Sequence, residues 1–332
     1  MSVGRSSRRD FVTGLGAAAG AGASVARAQQ AGRRRIGVLM NLMADDVEGR
    51  ARDVAFRQAL QKLGWIEGRN VQIDYRWGAA DAARYRQFAA ELVAIGPDVL
   101  LAGGGQVVAP LRQVAGTVPI VFTNTNDPLA SGFVASLSRP GGNITGFINI
   151  EYEISGKWLE LLKQIDPGVA RAAVLWDSGF PGGKAQLAEL VRLAPAFQLQ
   201  LTPIDLRGPE SLDHAIGAFS GERGGLVVTA STLATLRRKQ IISLSAQYRL
   251  PAVYCNRLYV EDGGLISYGP DFLDQYRRAA DYIDRILRGA KPADLPVEAP
   301  RIYETILNAK TANELGLKVP RIVLLKADEV ID

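Results

Sequence analysis

The sequence predicts an α/β chain of two doubly wound lobes, each a parallel sheet with helices on both faces. Three observations lead there. Short β-rich apolar runs alternate with amphipathic stretches of helical spacing, and the same order of runs recurs about 130 residues later, the length of one domain. The third is length, since 332 residues can bury two cores. In order, the pattern reads strand 36–40, helix 52–63, strand 71–77, helix 81–95, strand 99–102, helix 107–114 and strand 120–123. Runs such as Val38-Leu39-Met40 and Val99-Leu100-Leu101 are apolar at successive positions, so both faces of the sheet need covering, as in parallel sheets.

The second half repeats the first. Arg35-Ile36-Gly37-Val38-Leu39 is answered by Arg171-Ala172-Ala173-Val174-Leu175, and Val71-Gln72-Ile73-Asp74 by Leu199-Gln200-Leu201-Thr202. Pro97-Asp98-Val99-Leu100-Leu101 corresponds to Gly224-Gly225-Leu226-Val227-Val228, and Val118-Pro119-Ile120-Val121-Phe122 to Leu250-Pro251-Ala252-Val253-Tyr254. Later elements, a strand at 265–268, a helix at 272–287, a strand at 301–307 and a short helix at 309–315, fit a chain that returns to each lobe in turn. The expected division is 33–148 plus about 265–295 for the first lobe, and 149–264 plus about 296–325 for the second.

Residues 1–28 read as an export leader. Arg8-Arg9 precedes Phe11 and an uncharged Ala/Gly-rich run, and Ala26-Arg27-Ala28 supplies a small-x-small cleavage site, a pattern that resembles twin-arginine export signals. The run is too short and too rich in Gly and Ala for a membrane anchor, which needs about 20 strongly apolar residues. Gly14-Leu15-Gly16 with Gly20 imitates a dinucleotide fingerprint, but no strand precedes it. Losing Arg5, Arg8, Arg9, Arg27 and Asp10 with the leader lowers the formal charge from +5 to +2, which leaves no basic footprint for nucleic acid. Cys255 is the only cysteine and lies far from the cleavage site, so neither a disulfide nor a lipid anchor is expected. With His214 as the sole histidine, zinc sites built on His or Cys and His-based triads are excluded almost by counting. There is no phosphate loop and no G-x-S-x-G nucleophile turn, so neither cofactor, metal nor catalysis is expected.

Open parallel sheets bind ligands beyond the carboxyl ends of their strands. That selects the loops Asn41-Leu42-Met43-Ala44-Asp45-Asp46, Gly103-Gly104-Gly105-Gln106 and Thr123-Asn124-Thr125-Asn126-Asp127-Pro128 in the first half. In the second half it selects Asp177-Ser178-Gly179-Phe180, Thr229-Ala230-Ser231-Thr232 and Cys255-Asn256-Arg257. Each has a plainer reading beside the functional one: the glycine run as a tight turn, Asp127 as a turn cap, Ser231 as a helix N-cap. Trp176 is placed to stack on a flat ligand, while Trp65 and Trp158 are expected between helix and sheet. Asp45-Asp46 and Arg237-Arg238-Lys239 read as a solvated helix start and a solvated helix face. Cys255 reads as a buried small side chain near the cleft and His214 as a surface residue.

The residues also carry a family likeness. Asp127-Pro128, Gly132-Phe133-Val134 and Arg139-Pro140-Gly141-Gly142-Asn143-Ile144-Thr145-Gly146 resemble the signature stretch of ABC-transporter substrate-binding proteins, the family that includes tryptophan- and tyrosine-binding members. Gly263-Gly264-Leu265-Ile266-Ser267-Tyr268-Gly269, the stretch from Ile286 through Lys291-Pro292 to Glu298, and Asn308-Ala309-Lys310-Thr311-Ala312 resemble its tail. The resemblance implies a type I periplasmic-binding-protein (Venus flytrap) fold, two Rossmann-like lobes joined by three crossings and closing on a small molecule. Carried over by position, it implies ligand contacts from Ala44, Asp45, Gly104, Gly105, Asn124, Asp127, Asp177, Ser178, Ser231 and Asn256. Two stretches depart from the pattern: glycines follow the third strand, and Trp176-Asp177-Ser178-Gly179 replaces an Asn-Pro-like turn.

The implied role is a non-enzymatic, monomeric, periplasmic solute-binding component of an ABC importer, cleaved near Ala28. Its expected partners are a small organic ligand (an amino acid or aromatic compound), the inner-membrane permease and, for the precursor, the twin-arginine export machinery. A sensory protein reporting to a kinase or chemoreceptor is the alternative reading, and a periplasmic enzyme on the same scaffold is a third.

Overall fold

The computed structural model describes residues 33–149, 154–180, 182–221 and 223–332; the leader expected at 1–28 lies outside them. The first sheet contains β1 (Arg34–Met40), β2 (Val71–Trp77), β3 (Val99–Gly103), β4 (Ile120–Thr125) and β5 (Ile144–Ile148), in the order β2-β1-β3-β4-β5, all parallel. Alternation along β1 explains the layers. Ile36, Val38 and Met40 pack on one face against α1 (Val47–Lys62) and a late helix, while Leu39 packs on the other against α2 (Ala82–Ala94) and α3 (Gly105–Val114). Asp46 starts α1 and Asp81 starts α2, each accepting from two backbone N–H groups of the first turn.

After α4 (Ser155–Ile165) the second sheet repeats the plan with β6 (Arg171–Trp176), β7 (Gln200–Asp205), β8 (Gly224–Val228) and β9 (Ala252–Tyr254), linked by helices that include α5 (Gly183–Leu193) and α6 (Leu212–Gly217). Their order, β7-β6-β8-β9, copies β2-β1-β3-β4, so the four matched pairs of sequence runs occupy equivalent places in the two sheets. Pro203 is accommodated because β7 is an edge strand, where its missing N–H costs no ladder bond. Trp158 of α4 is fully buried and donates its indole N–H to the Tyr268 carbonyl at 2.7 Å, the expected helix-to-sheet packing.

One assignment changes. The strand expected to return to the first lobe, β10 (Ile266–Pro270), lies in the second sheet, parallel to β9 and antiparallel to β11 (Tyr303–Asn308). It follows β9 through the short helix α9 (Arg257–Glu261) and simply extends the same sheet. Only what comes next crosses back: the late helix α10 (Phe272–Leu287) buries Tyr276, Ala279, Ala280 and Ile283 in the first core. The chain recrosses near Glu298, where an isolated bridge to Phe147 lays the first and last crossings side by side. It then ends with α11 (Ala309–Glu314), α12 (Arg321–Lys326) and β12 (Glu329–Ile331), which completes a seven-stranded sheet.

Candidate functional site

The carboxyl ends of the two sheets face each other across a small cavity of about 30 Å³. From the first lobe it is lined by Asn41 and Leu42 after β1, Arg52 of α1, Asn124 of β4 and Asn149 after β5. Phe272, the first residue of α10, lies beside them. The second lobe supplies Phe180 after β6, Ala230 and Ser231 after β8, Thr232 and Thr235 of α7 (Thr232–Leu236), and Cys255 and Asn256 after β9. β4 ends in a buried polar stretch, Thr123-Asn124-Thr125, of which Asn124 lines this space. Asn124 and Asp127 both adopt left-handed backbone (φ 49° and 42°), which Asn and Asp tolerate better than most residues and which turns the chain sharply at the site.

Asn124, Ser231 and Asn256 thus meet at the cavity, while the other expected positions do not line it. Ala44, Asp45 and Ser178 are exposed. Asp127 caps its own turn through the Ala130 N–H, and Asp177 is buried in an ion pair with Arg207 at 2.5 Å. Gly104 (φ +126°) is packed so closely on Asn41 that a Cβ would collide with the amide, so this glycine serves the turn. Gly105 and Gln106 line a second space of about 410 Å³ with Tyr85, Phe133, Arg207 and Leu233. Trp176 lines neither space. Ser231 and Asn256 are N-caps as well, accepting from the N–H groups of Ala234 and Leu258.

The lobes are held together by polar contacts, some between expected ligand loops and one between Asp46 and Arg238, which the sequence reading assigned to solvent. Asn41 Nδ2 donates to Thr232 Oγ1 at 2.6 Å, and that hydroxyl donates to Gln106 Oε1 at 3.2 Å. Arg238, in α8 (Arg238–Gln247), is buried rather than solvated: its Nη1 reaches Asp46 Oδ2 across the interface at 2.9 Å, and its Nε reaches Asp262 within the second lobe at 2.7 Å. Burial works against the Arg238 charge, but the two carboxylates outweigh it and raise its pKa.

Arg52 also escaped sequence reading, because an arginine within a helical run ordinarily faces water. Here it is 4% exposed, with Nε on Glu48 Oε1 at 2.8 Å and its guanidinium 5.2 Å and 5.7 Å from the ring centroids of Phe272 and Tyr276. Burial again opposes the charge, but Glu48 and Tyr276 together prevail, so the pKa is raised. Around it, Asn41 Oδ1, Asn149 Oδ1 and both amide atoms of Asn124 are buried without a protein hydrogen-bond partner. Cys255 is buried beside Asn256, and burial pushes its thiol up to about 12.

Residues 40–331 match the family model for ABC transporter substrate binding proteins. The chain belongs to that family. It is 24% identical over 277 residues to a tyrosine-binding protein of Clostridioides difficile (strain R20291), across 82% of this chain and 80% of that one. Its fold matches a conserved domain protein of Vibrio cholerae O1 biovar El Tor with a TM-score of 0.80 at 25% identity, covering 90% of this chain and 99% of the other. A Streptococcus pneumoniae ABC domain solved in complex with L-Trp matches with a TM-score of 0.82 at 24% identity, covering 90% and 100%. As an ABC substrate-binding protein it acts outside the cytoplasm and works with a small ligand and an ABC permease. The curated relative is named as a binding protein. Among the described residues no helix is long and apolar enough to cross a membrane.

Proposed function

We propose that this substrate-binding protein captures a small organic solute, an amino acid or an aromatic compound, in the cavity between its lobes and presents the closed form to an inner-membrane permease. One observation carries the reading: six strand ends from two sheets converge on a single cavity whose buried amides lack protein partners. Buried polar groups are almost always hydrogen-bonded, so these atoms are suited to a ligand. The tyrosine- and tryptophan-binding relatives support an aromatic amino acid or a compound shaped like one.

The space of about 30 Å³ between the lobes is far smaller than such a solute, so capture requires the lobes to part. Parting is opposed by Asn41–Thr232 and Asp46–Arg238, and a solute touching both lobes favours closure by its differential affinity. The twin-arginine leader, cut near Ala28, places the mature monomer in the periplasm.

The test is a thermal-shift screen of the exported protein against amino acids, aromatic acids, sugars and nucleosides. A ligand that binds only folded protein raises Tm by mass action, and at a thousand times Kd the gain is about 4 kcal/mol. A shift confined to one chemical class supports capture and names the class. Turnover of any of these compounds by the purified protein would refute it.

A further inference from the structure

We infer that Arg52 anchors the captured solute by its carboxylate, so that a carboxylate is required of the ligand and an ammonium group is not. The inference rests on the solute-capture reading. Among the described residues that line the cavity Arg52 alone is charged; the rest are apolar, hydroxyl, thiol or amide side chains. A guanidinium carries five N–H donors in a rigid fork that matches a carboxylate. Glu48 takes the Nε edge, and Phe272 and Tyr276 lie against the guanidinium. Among the described residues the fork of terminal amino groups makes no ion pair with a carboxylate, and the Tyr276 hydroxyl is its side-chain neighbour.

The second observation is independent of Arg52. Asn124, 6% exposed, has neither amide atom bonded, and the side-chain oxygens of Asn41 and Asn149 are likewise buried and unpartnered in the same cavity. One amide donor and three amide oxygens are thus available to a polar ligand alongside the guanidinium.

Among the described residues no carboxylate lines the cavity to receive an ammonium. Two described acids of the first lobe near Arg52 are already engaged: Asp46 with two backbone N–H groups and Arg238, Glu48 with Arg52. Among the described lining residues an ammonium meets neutral amide oxygens, whereas a carboxylate meets a cation. The carboxylate therefore carries the selection.

The experiment measures Kd by calorimetry on protein purified from the periplasm, using matched sets: L-tryptophan, indole-3-propionate and tryptamine; L-tyrosine, 3-(4-hydroxyphenyl)propionate and tyramine. Sugars and nucleosides complete the panel. Compounds bearing the carboxylate bind, and the decarboxylated amines are weaker by about 30-fold or more, the scale of a charge-assisted bidentate contact. Arg52→Gln alone strands Glu48, so the decisive variant is Glu48→Gln/Arg52→Gln, which removes both charges. It loses the same factor for the carboxylates, with the ligand-free Tm within a few degrees of wild type, and Arg52→Lys falls between. An amine within threefold of its acid, an uncharged compound as the best ligand, or a double variant with wild-type affinity for a carboxylate overturns the assignment and leaves solute capture standing. Silence across the whole panel overturns both.

Discussion

Replacing Arg238 by Met is expected to weaken closure rather than folding. The side chain makes three contacts, to Asp262, to the Thr235 carbonyl and to Asp46, and only the last crosses between lobes. Both members of the crossing pair are about 5% exposed in the closed form, and parting the lobes gives Asp46 access to water. A hydrogen bond to a charged group contributes about 1.5–3 kcal/mol, so roughly 2 kcal/mol of the loss falls on the closed state alone. That is about a 30-fold shift toward the open form, and nearly the same factor in Kd, since each 1.4 kcal/mol is tenfold. Asp46→Asn should do the same while keeping the α1 cap, because it is Oδ1 that accepts from Glu48 and Gly49. The assay is ligand Kd by calorimetry, paired with the radius of gyration by small-angle scattering of the ligand-free protein. The two substitutions combined should cost less than their sum, as expected for partners in one contact. If Arg238→Met lowers the stability of the ligand-free protein by the full amount but leaves both Kd and the radius of gyration unchanged, the contact belongs to folding of the second lobe and the latch is wrong.

Gly146, in β5, has φ +152°, and a Cβ there would run into the backbone of Phe122 on β4; Gly146→Ala is expected to lose roughly 2–4 kcal/mol in urea unfolding, and a loss under 0.5 kcal/mol would contradict the packing. Cys255 should resist thiol reagents in the native protein and react fully once unfolded, because only an exposed thiolate attacks. Burial raises its pKa from 9.0 to about 12, so its contribution to stability is complete below pH 9 and declines from there toward 12. The stability difference between wild type and Cys255→Ala should accordingly be flat below pH 9 and move against wild type above it; an alkaline slope unchanged by the substitution would remove Cys255 as its source.

Much of the architecture was legible because burial leaves a local trace. The matched runs beginning at Arg35 and Arg171, Val71 and Leu199, Pro97 and Gly224, and Val118 and Leu250 are apolar since their sheets are covered on both faces, and each pair occupies the same place in its own sheet. The loops were legible for a related reason, because polar residues directly after an apolar strand mark its carboxyl end. Asn124, Ser231 and Asn256 follow from that rule. The placement of β10 did not, since an apolar strand carries no label saying which of two sheets it joins.

The sequence by itself determined that there are two similar lobes and the four matched pairs of strands within them, and it pointed to the strand ends as the candidate site. Only the tertiary structure decided which residues of those loops touch. Asn41 and Thr232 are 191 positions apart and Asp46 and Arg238 192, and no periodicity within one lobe reports a contact made with the other. Arg52 and Arg238 show the physical reason most directly. Each lies in a helical stretch whose local pattern allows exposure, and each becomes a buried charge only when a second element brings it a partner or a lid: α10 over Arg52, the opposite lobe over Arg238.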